Sequence, residues 1–137
     1  PVIYGDGQQV RAFSYIEDIV PALAKAGTEK SAKNEIINLG SGRRMTVRGA
    51  FNIVNKICTN GKRKPQYEPA RKGEVKEAWC STEKSERLLD FRQMHTFSEG
   101  VKKMWEWAKD VGPQEPTYLL PLEITKEAPD VWISKRM

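Results

Sequence analysis

Tyr4-Gly5-Asp6-Gly7-Gln8-Gln9-Val10-Arg11-Ala12-Phe13-Ser14-Tyr15 carries a strong turn signal near the start of the chain. A short apolar run, Val2-Ile3-Tyr4, leads into it. Gly5-Asp6-Gly7 then supplies turn chemistry, because glycine accepts positive φ and aspartate bonds its own backbone. Val10, Phe13, Tyr15 and Ile16 follow as a second extended run with rough alternation. Two strands around a Gly-Asp-Gly turn predict a β-hairpin. Arg11 sits just past the turn, where its planar fork of donors suits a phosphate or a carboxylate. A solvated hairpin arginine is the plain alternative, since Gly-x-Gly alone is a weak signal.

From this stretch the chain runs outward through alternating short elements. Asp18 is expected to cap a helix with Pro21 in its first turn, Ile19, Val20, Leu23 and Ala24 on one face, and Gly27 at its end. Glu35 to Leu39 reads as a strand that runs into Gly40-Ser41-Gly42. A tight strand-to-helix turn explains those glycines better than a phosphate loop, because neither the downstream lysine-serine pair nor the G-x-G-x-x-G spacing is present. Thr46 is a good N-cap for a helix carrying Ala50, Phe51, Val54, Ile57 and Cys58 at core spacing, closed by Asn60-Gly61. Lys64 to Glu68 reads as a strand, and Pro69-Ala70-Arg71-Lys72-Gly73-Glu74-Val75 follows as a polar turn. Taken alone, that turn is as well explained by one ordinary surface ion pair. Ser81 can cap the next helix. Thr96-Phe97-Ser98-Glu99 is a capping box that opens a helix with Val101, Met104, Trp105 and Ala108 on one face and Trp107 off it.

The 137 residues are enough for one domain with its own core, and 39% hydrophobic with 30% charged residues is a folded rather than a disordered composition. No apolar run reaches the length of a membrane span. The formal charge of +5 admits nucleic acid, a membrane surface or an anionic small molecule as partner. The basic residues are scattered, however, and the one cluster, Lys62-Arg63-Lys64, reads as a solvated turn. Cys58 and Cys80 are too few and too far apart for a metal site; a buried thiol at Cys58 and a reducing, cytoplasmic setting are expected. His95, the lone histidine, lies in a polar loop without ligand partners and receives no catalytic or metal role. The opening at Pro1, inside a strand-like run and without methionine, is what a piece of a longer chain would show. A body over residues 1–111 and an extended docking tail over 112–137 are expected. The tail carries prolines 113, 116, 121 and 129, with Tyr118, Leu119, Leu120, Leu122, Ile124 and Trp132 as docking residues.

The Tyr4 to Asp18 stretch resembles the segment that opens the carboxy-terminal portion of the extended short-chain dehydrogenases, the nucleotide-sugar epimerases and dehydratases. Their usual wording there is Tyr-Gly-Asp-Gly-x-Gln-x-Arg-Asp-Phe-x-Tyr-Val-x-Asp; Ala12 departs from it and Arg11 matches. Pro69 to Val75 is similar to that family's Pro-x-Arg-x-Gly-(Glu/Asp)-Val. Lys84 and Leu88 match its next helix, with Ser81 in place of an aspartate and Leu89-Asp90-Phe91 in place of Leu-Gly-Phe. Its Ser-x-x-Glu-Gly-(Leu/Val) helix corresponds to the one opened at Thr96. The blocks run in order from about Val2 to Ala108.

The resemblance implies a mixed α/β fold, with a small sheet containing the hairpin and with packing helices, forming the C-terminal part of a Rossmann-type enzyme. It implies a nucleotide-diphosphate sugar as ligand, with Arg11 and Arg71 on the pyrophosphate, Glu74 on a ribose hydroxyl and Tyr4 beside the base. It implies NAD in the full-length parent, where the cofactor oxidises a sugar hydroxyl and later returns the hydride. The chain shows neither a dinucleotide glycine fingerprint nor a Tyr-x-x-x-Lys pair, since Gln8, Ile19, Arg71 and Leu122 lie four residues after its tyrosines. Catalysis and NAD binding are therefore expected of an amino-terminal Rossmann half, and no catalytic, cofactor or metal residue is assigned here. A homodimer through apolar surface left by that half is open. Two other classes stay open: a basic nucleic-acid-binding module, and a decayed domain acting only in assembly, for which Ala12 and Ser81 are mild support.

Overall fold

The computed structural model describes residues 1–114. Its elements, in chain order, are β1 (Val2–Tyr4), β2 (Val10–Ala12), α1 (Ile16–Ala26), a 3-10 turn (Lys30–Ala32), β3 (Arg44–Thr46), α2 (Val47–Thr59), β4 (Gln66–Glu68), β5 (Glu77–Ala78), α3 (Glu83–Leu89) and α4 (Phe97–Val111). The mixed α/β class is as expected. The hairpin is not. β1 pairs in parallel with β4, in the register Val2–Gln66, Ile3–Tyr67, Tyr4–Glu68. β2 instead lies between β3 (antiparallel, Arg11 opposite Met45) and β5 (parallel, Arg11 opposite Ala78). The Gly-Asp-Gly turn forms, but it carries the chain from one small sheet to another.

The reason lies in what the turn bonds to. Gly5 and Gly7 have φ of 71° and 74°, and Asp6 Oδ1 accepts from the Gln8 amide at 2.9 Å. The carbonyls of Gly7 and Gln9 then accept from the Arg48 and Val47 amides at 2.9 and 3.0 Å, and Thr46 Oγ1 accepts from Gly49 at 3.0 Å. The free amides that open α2 thus bond to the turn, so β1 and β2 splay instead of pairing. A Cβ on Gly7 would come within 3.0 Å of Arg48 Cβ and 3.2 Å of Ile3 Cγ2. The α2 cap at Thr46 and its left-handed end at Asn60 (φ 55°) are as predicted.

Other expectations shift. Helix α1 begins at Ile16, with Tyr15 rather than Asp18 at its N-cap position, and Pro21 lies inside it. Its inward side carries Asp18 and Ala22, with Ile19 and Ala26 packed in, whereas Val20 and Leu23 face outward with Ile16. Gly27 ends it in right-handed geometry. Glu35 to Leu39 is not a strand: no described neighbour pairs with it, and Ile37 and Leu39 pack on the core while Ile36 is 89% exposed. Ser81 Oγ is 3.4 Å from the Glu83 amide, but the N-cap position of α3 belongs to Thr82. Met104 faces out of α4 instead of in. Cys58 and Cys80 are both free and partly buried.

The core is Ala22, Leu89 and Phe91, flanked by Ile19, Ala26, Ala32, Ile37, Leu39 and Leu88. Burying Leu89 or Phe91 contributes about 1.5–3 kcal/mol, against roughly 0–1 for an exposed ion pair, so the α1–α3 packing is held by apolar contact. Asp90, where the resembled family has glycine, takes the left-handed position after α3 (φ 53°), which aspartate tolerates. The tail expected over 112–137 lies, from residue 115 on, outside the described residues.

Candidate functional site

The loop between β1 and β2 and the loop between β4 and β5 face each other because the two strand pairs hold their roots. Gly5 N donates to Glu68 O at 2.9 Å and Val10 N to Lys76 O at 2.7 Å. Between the loops opens a concavity of about 590 Å³, bordered by Tyr4, Gln9, Arg71, Glu74, Lys76 and Glu77 among others. Three of the four residues singled out from sequence, Tyr4, Arg71 and Glu74, therefore share one cleft, although some 70 residues separate Tyr4 from Glu74. Gln9, Lys76 and Glu77 were not anticipated; only their place beside the two motifs could have marked them.

The two arginines stand differently. The Arg71 guanidinium lies over the Tyr4 ring, 3.8 Å from its centroid, and makes no ion pair among the described residues. Stacking of that kind is worth about 0.5–1 kcal/mol at an exposed site. It fixes the plane of the guanidinium while leaving its in-plane N–H edge for an anion. Arg11 is already bonded. Nη1 donates to the carbonyls of Val10 (2.8 Å) and Val75 (2.9 Å), and Nη2 to Glu74 Oε1 (3.3 Å). Arg11 does not border the cleft and joins it through Glu74. Glu74 keeps its second oxygen for another donor. The cleft thus offers one open cationic fork, one aromatic face and one carboxylate, a set suited to a phosphate, a flat ring and a hydroxyl.

A second titratable cluster ties α1 to the start of α4. Asp18 is 7% exposed. Its Oδ1 lies 2.6 Å from His95 Nδ1, and its Oδ2 accepts from the His95 backbone amide at 3.1 Å. His95 Nε2 lies 3.2 Å from Lys103 Nζ, which also donates to Glu17 Oε2 at 2.6 Å; Tyr15 Oη donates to Glu17 Oε1 at 3.1 Å. A carboxylate only accepts, so His95 Nδ1 is the donor to Asp18. Burial pushes the Asp18 carboxyl up, but the ring and backbone hydrogen bonds from His95 outweigh it and leave the group below the usual carboxylate range. The bond from Lys103 lowers Glu17 and raises Lys103 in turn, while partial burial and then Glu17 raise Tyr15. His95 is therefore not an idle loop residue. It is the joint between two helices, and with Asp18 77 residues away no local pattern marked it.

Gly40-Ser41-Gly42 is structural. Ser41 is 1% exposed; its hydroxyl donates to Gln93 Oε1 at 2.9 Å and accepts from the Arg43 amide at 3.0 Å. Among the described residues no group of three or more His, Cys, Asp or Glu side chains could hold a metal ion, and no helix is long and apolar enough to cross a membrane.

Known proteins resemble this chain over most of its length. The family model described as GDP-mannose 4,6 dehydratase matches residues 1–104. The UDP-glucuronate 4-epimerase of Thermodesulfobacterium geofontis is 33% identical over 109 residues, which are 79% of this chain and 33% of that protein. The crystal structure of UDP-glucose 4-epimerase from Thermotoga maritima with UDP-glucose superposes with a TM-score of 0.73 at 32% identity, covering 80% of this chain and 34% of that one. A variant of UDP-glucuronic acid 4-epimerase from Bacillus cereus, in complex with UDP-4-deoxy-4-fluoro-glucuronic acid and NAD, gives 0.72 at 26% identity, with 81% and 35% covered. The chain spans about one third of the length of the curated relatives it matches. By its sequence and its fold, this chain belongs to the NAD-dependent nucleotide-sugar epimerase/dehydratase family, the extended short-chain dehydrogenases.

Proposed function

We propose that this chain is the C-terminal, substrate-binding portion of a nucleotide-sugar epimerase or dehydratase and holds the nucleotide diphosphate of the substrate. The observation that carries this reading is the convergence of Tyr4, Arg71 and Glu74 on one cleft, with Arg11 bonded to Glu74. In this reading the open edge of Arg71 takes the pyrophosphate and the Tyr4 face lies beside the base. Glu74 accepts from a ribose hydroxyl with the oxygen that Arg11 leaves free. Arg11, anchored by two carbonyls and outside the cleft's border, acts by fixing Glu74.

NAD, which takes up and returns a hydride, would be carried with the proton-transfer residues by an N-terminal Rossmann half. This chain alone would bind and not react. Contacts to the nucleotide, remote from the sugar, contribute to rate by holding the sugar in place. A cytoplasmic setting and pairing with that half complete the reading.

The test is calorimetric titration of UDP-, GDP- and dTDP-sugars into wild type, Arg11→Ala and Arg71→Ala. Binding of one of them, weakened by roughly 1.5–3 kcal/mol in the arginine variants as for charge-assisted hydrogen bonds, is the expected result. Equal affinity in all three proteins overturns the clamp. Tight binding of a random oligonucleotide that collapses with added salt would instead favour a nucleic-acid module.

A further inference from the structure

Five charged side chains border the cleft between the two loops: Asp6, Arg71, Glu74, Lys76 and Glu77. Its acidic groups are already answered. Glu74 pairs with Arg11 at 3.3 Å, and Glu77 lies 3.9 Å from Arg44; neither of those arginines borders the cleft. Asp6 Oδ1 accepts from the Gln8 amide at 2.9 Å. The uncommitted charge is positive: among the described residues neither Arg71 nor Lys76 makes an ion pair. Lys76 stands directly before β5, one residue past the Pro69 to Val75 motif. Its backbone is fixed from β2. The Lys76 carbonyl accepts from the Val10 amide at 2.7 Å, and the Val75 carbonyl accepts from Arg11 Nη1 at 2.9 Å.

We propose that, with the cleft read as a nucleotide-diphosphate site, Lys76 is the second cation of that site and sets its preference for a diphosphate ester over a monophosphate. A sugar ester of a nucleoside diphosphate carries a negative charge on each of its adjacent phosphoryl groups. Arg71 suits one of them as a planar fork, its orientation fixed by the Tyr4 ring. Lys76 suits the other as a compact point charge on a flexible stem, which needs no fixed angle of approach. Arg11 does not fill this place, because its donors go to the carbonyls of Val10 and Val75 and to Glu74. Lys72 belongs to the same loop but does not border the cleft. A monophosphate engages Arg71 and has no neighbouring phosphoryl group for Lys76, so the lysine adds affinity only for the diphosphate.

The test is calorimetric titration of UDP-glucose, GDP-mannose and dTDP-glucose, each beside UMP, GMP or dTMP, into the 137-residue chain. Wild type is compared with Lys76→Gln, Lys76→Arg, Lys72→Gln and Arg71→Ala. For the nucleotide sugar that wild type binds, Lys76→Gln should weaken binding about tenfold or more, as the loss of one charge-assisted contact does. Lys76→Arg, which keeps the charge, and the matching monophosphate on Lys76→Gln should change by less than about threefold. Lys72→Gln removes the same charge from the same loop; a loss there equal to that of Lys76→Gln would mean a diffuse field and overturn the proposal. Equal losses for the sugar ester and the monophosphate in Lys76→Gln also overturn it. Unchanged affinity in Lys76→Gln beside lost binding in Arg71→Ala removes Lys76 and leaves the nucleotide reading standing. Failure of wild type to bind any of the nucleotide sugars overturns that reading and the role of Lys76 together.

Discussion

The cleft around Arg71 and the joint around His95 are built from the same kinds of groups and do opposite things with them. In the joint, the hydrogen-bonding groups face one another: Asp18 takes both donors of His95, and Lys103 bridges the ring and Glu17. In the cleft, Arg71 is held by the Tyr4 face alone, and its donors point to no described acceptor. A polar network that satisfies itself locks two helices; one left with open donors is ready for a ligand. Arg11 shows the difference within a single site, because it is anchored on one side by carbonyls and on the other by Glu74.

Breaking the two regions separately should therefore give separate phenotypes. The largest effect is expected for Arg71→Ala. Nucleotide-sugar affinity should fall by roughly 1.5–3 kcal/mol while the urea midpoint stays within about 0.5 kcal/mol of wild type. Calorimetry and denaturation on the same preparation would check both halves. Asp18→Asn should do the reverse. It puts an amide where two donors require an acceptor and should cost roughly 1–3 kcal/mol of stability, read by urea unfolding, with affinity per folded molecule unchanged.

Thr96→Ala removes one side of the capping box at the start of α4, where Thr96 Oγ1 accepts from the Glu99 amide at 3.2 Å. It should cost about 1 kcal/mol and loosen the joint without touching the cleft, visible as faster amide exchange at the first turn of α4. The smallest effect is the acid limb of stability. Asp18 titrates lower in the folded chain than in the unfolded one, where a carboxyl titrates near about 3.9. Its contribution is thus complete above that value and is lost as pH falls through the folded value. Melting temperature measured between pH 6 and 3 should drop less steeply in Asp18→Asn than in wild type; parallel curves would remove Asp18 from the account.

Much of this was legible along the chain. The turn glycines, the Thr46 and Thr96 caps and the Asn60 helix end are local, set by the φ a residue accepts and by what its side chain reaches within a few positions. The residues proposed to hold the nucleotide were marked by motif resemblance. What failed was pairing. The hairpin and the strand at Glu35 to Leu39 had the right composition, but a strand exists only with a partner in register, and partner choice is not local. The outward faces of Val20 and Leu23 were missed for the same reason, since periodicity does not say which stripe finds a neighbour.

The Gly-Asp-Gly turn, the Thr46 and Thr96 caps, the Asn60 helix end and the residue types available for an anion could be read along the chain, because these depend on chemistry within one or two turns of it. That Tyr4, Arg71 and Glu74 share a cleft, that Arg11 is bonded to Glu74, and that Asp18 meets His95 follow from the folded arrangement alone. Those contacts span more than 60 residues, and which group finds a partner and which is left open follows from the packing of strands and helices that no local pattern encodes.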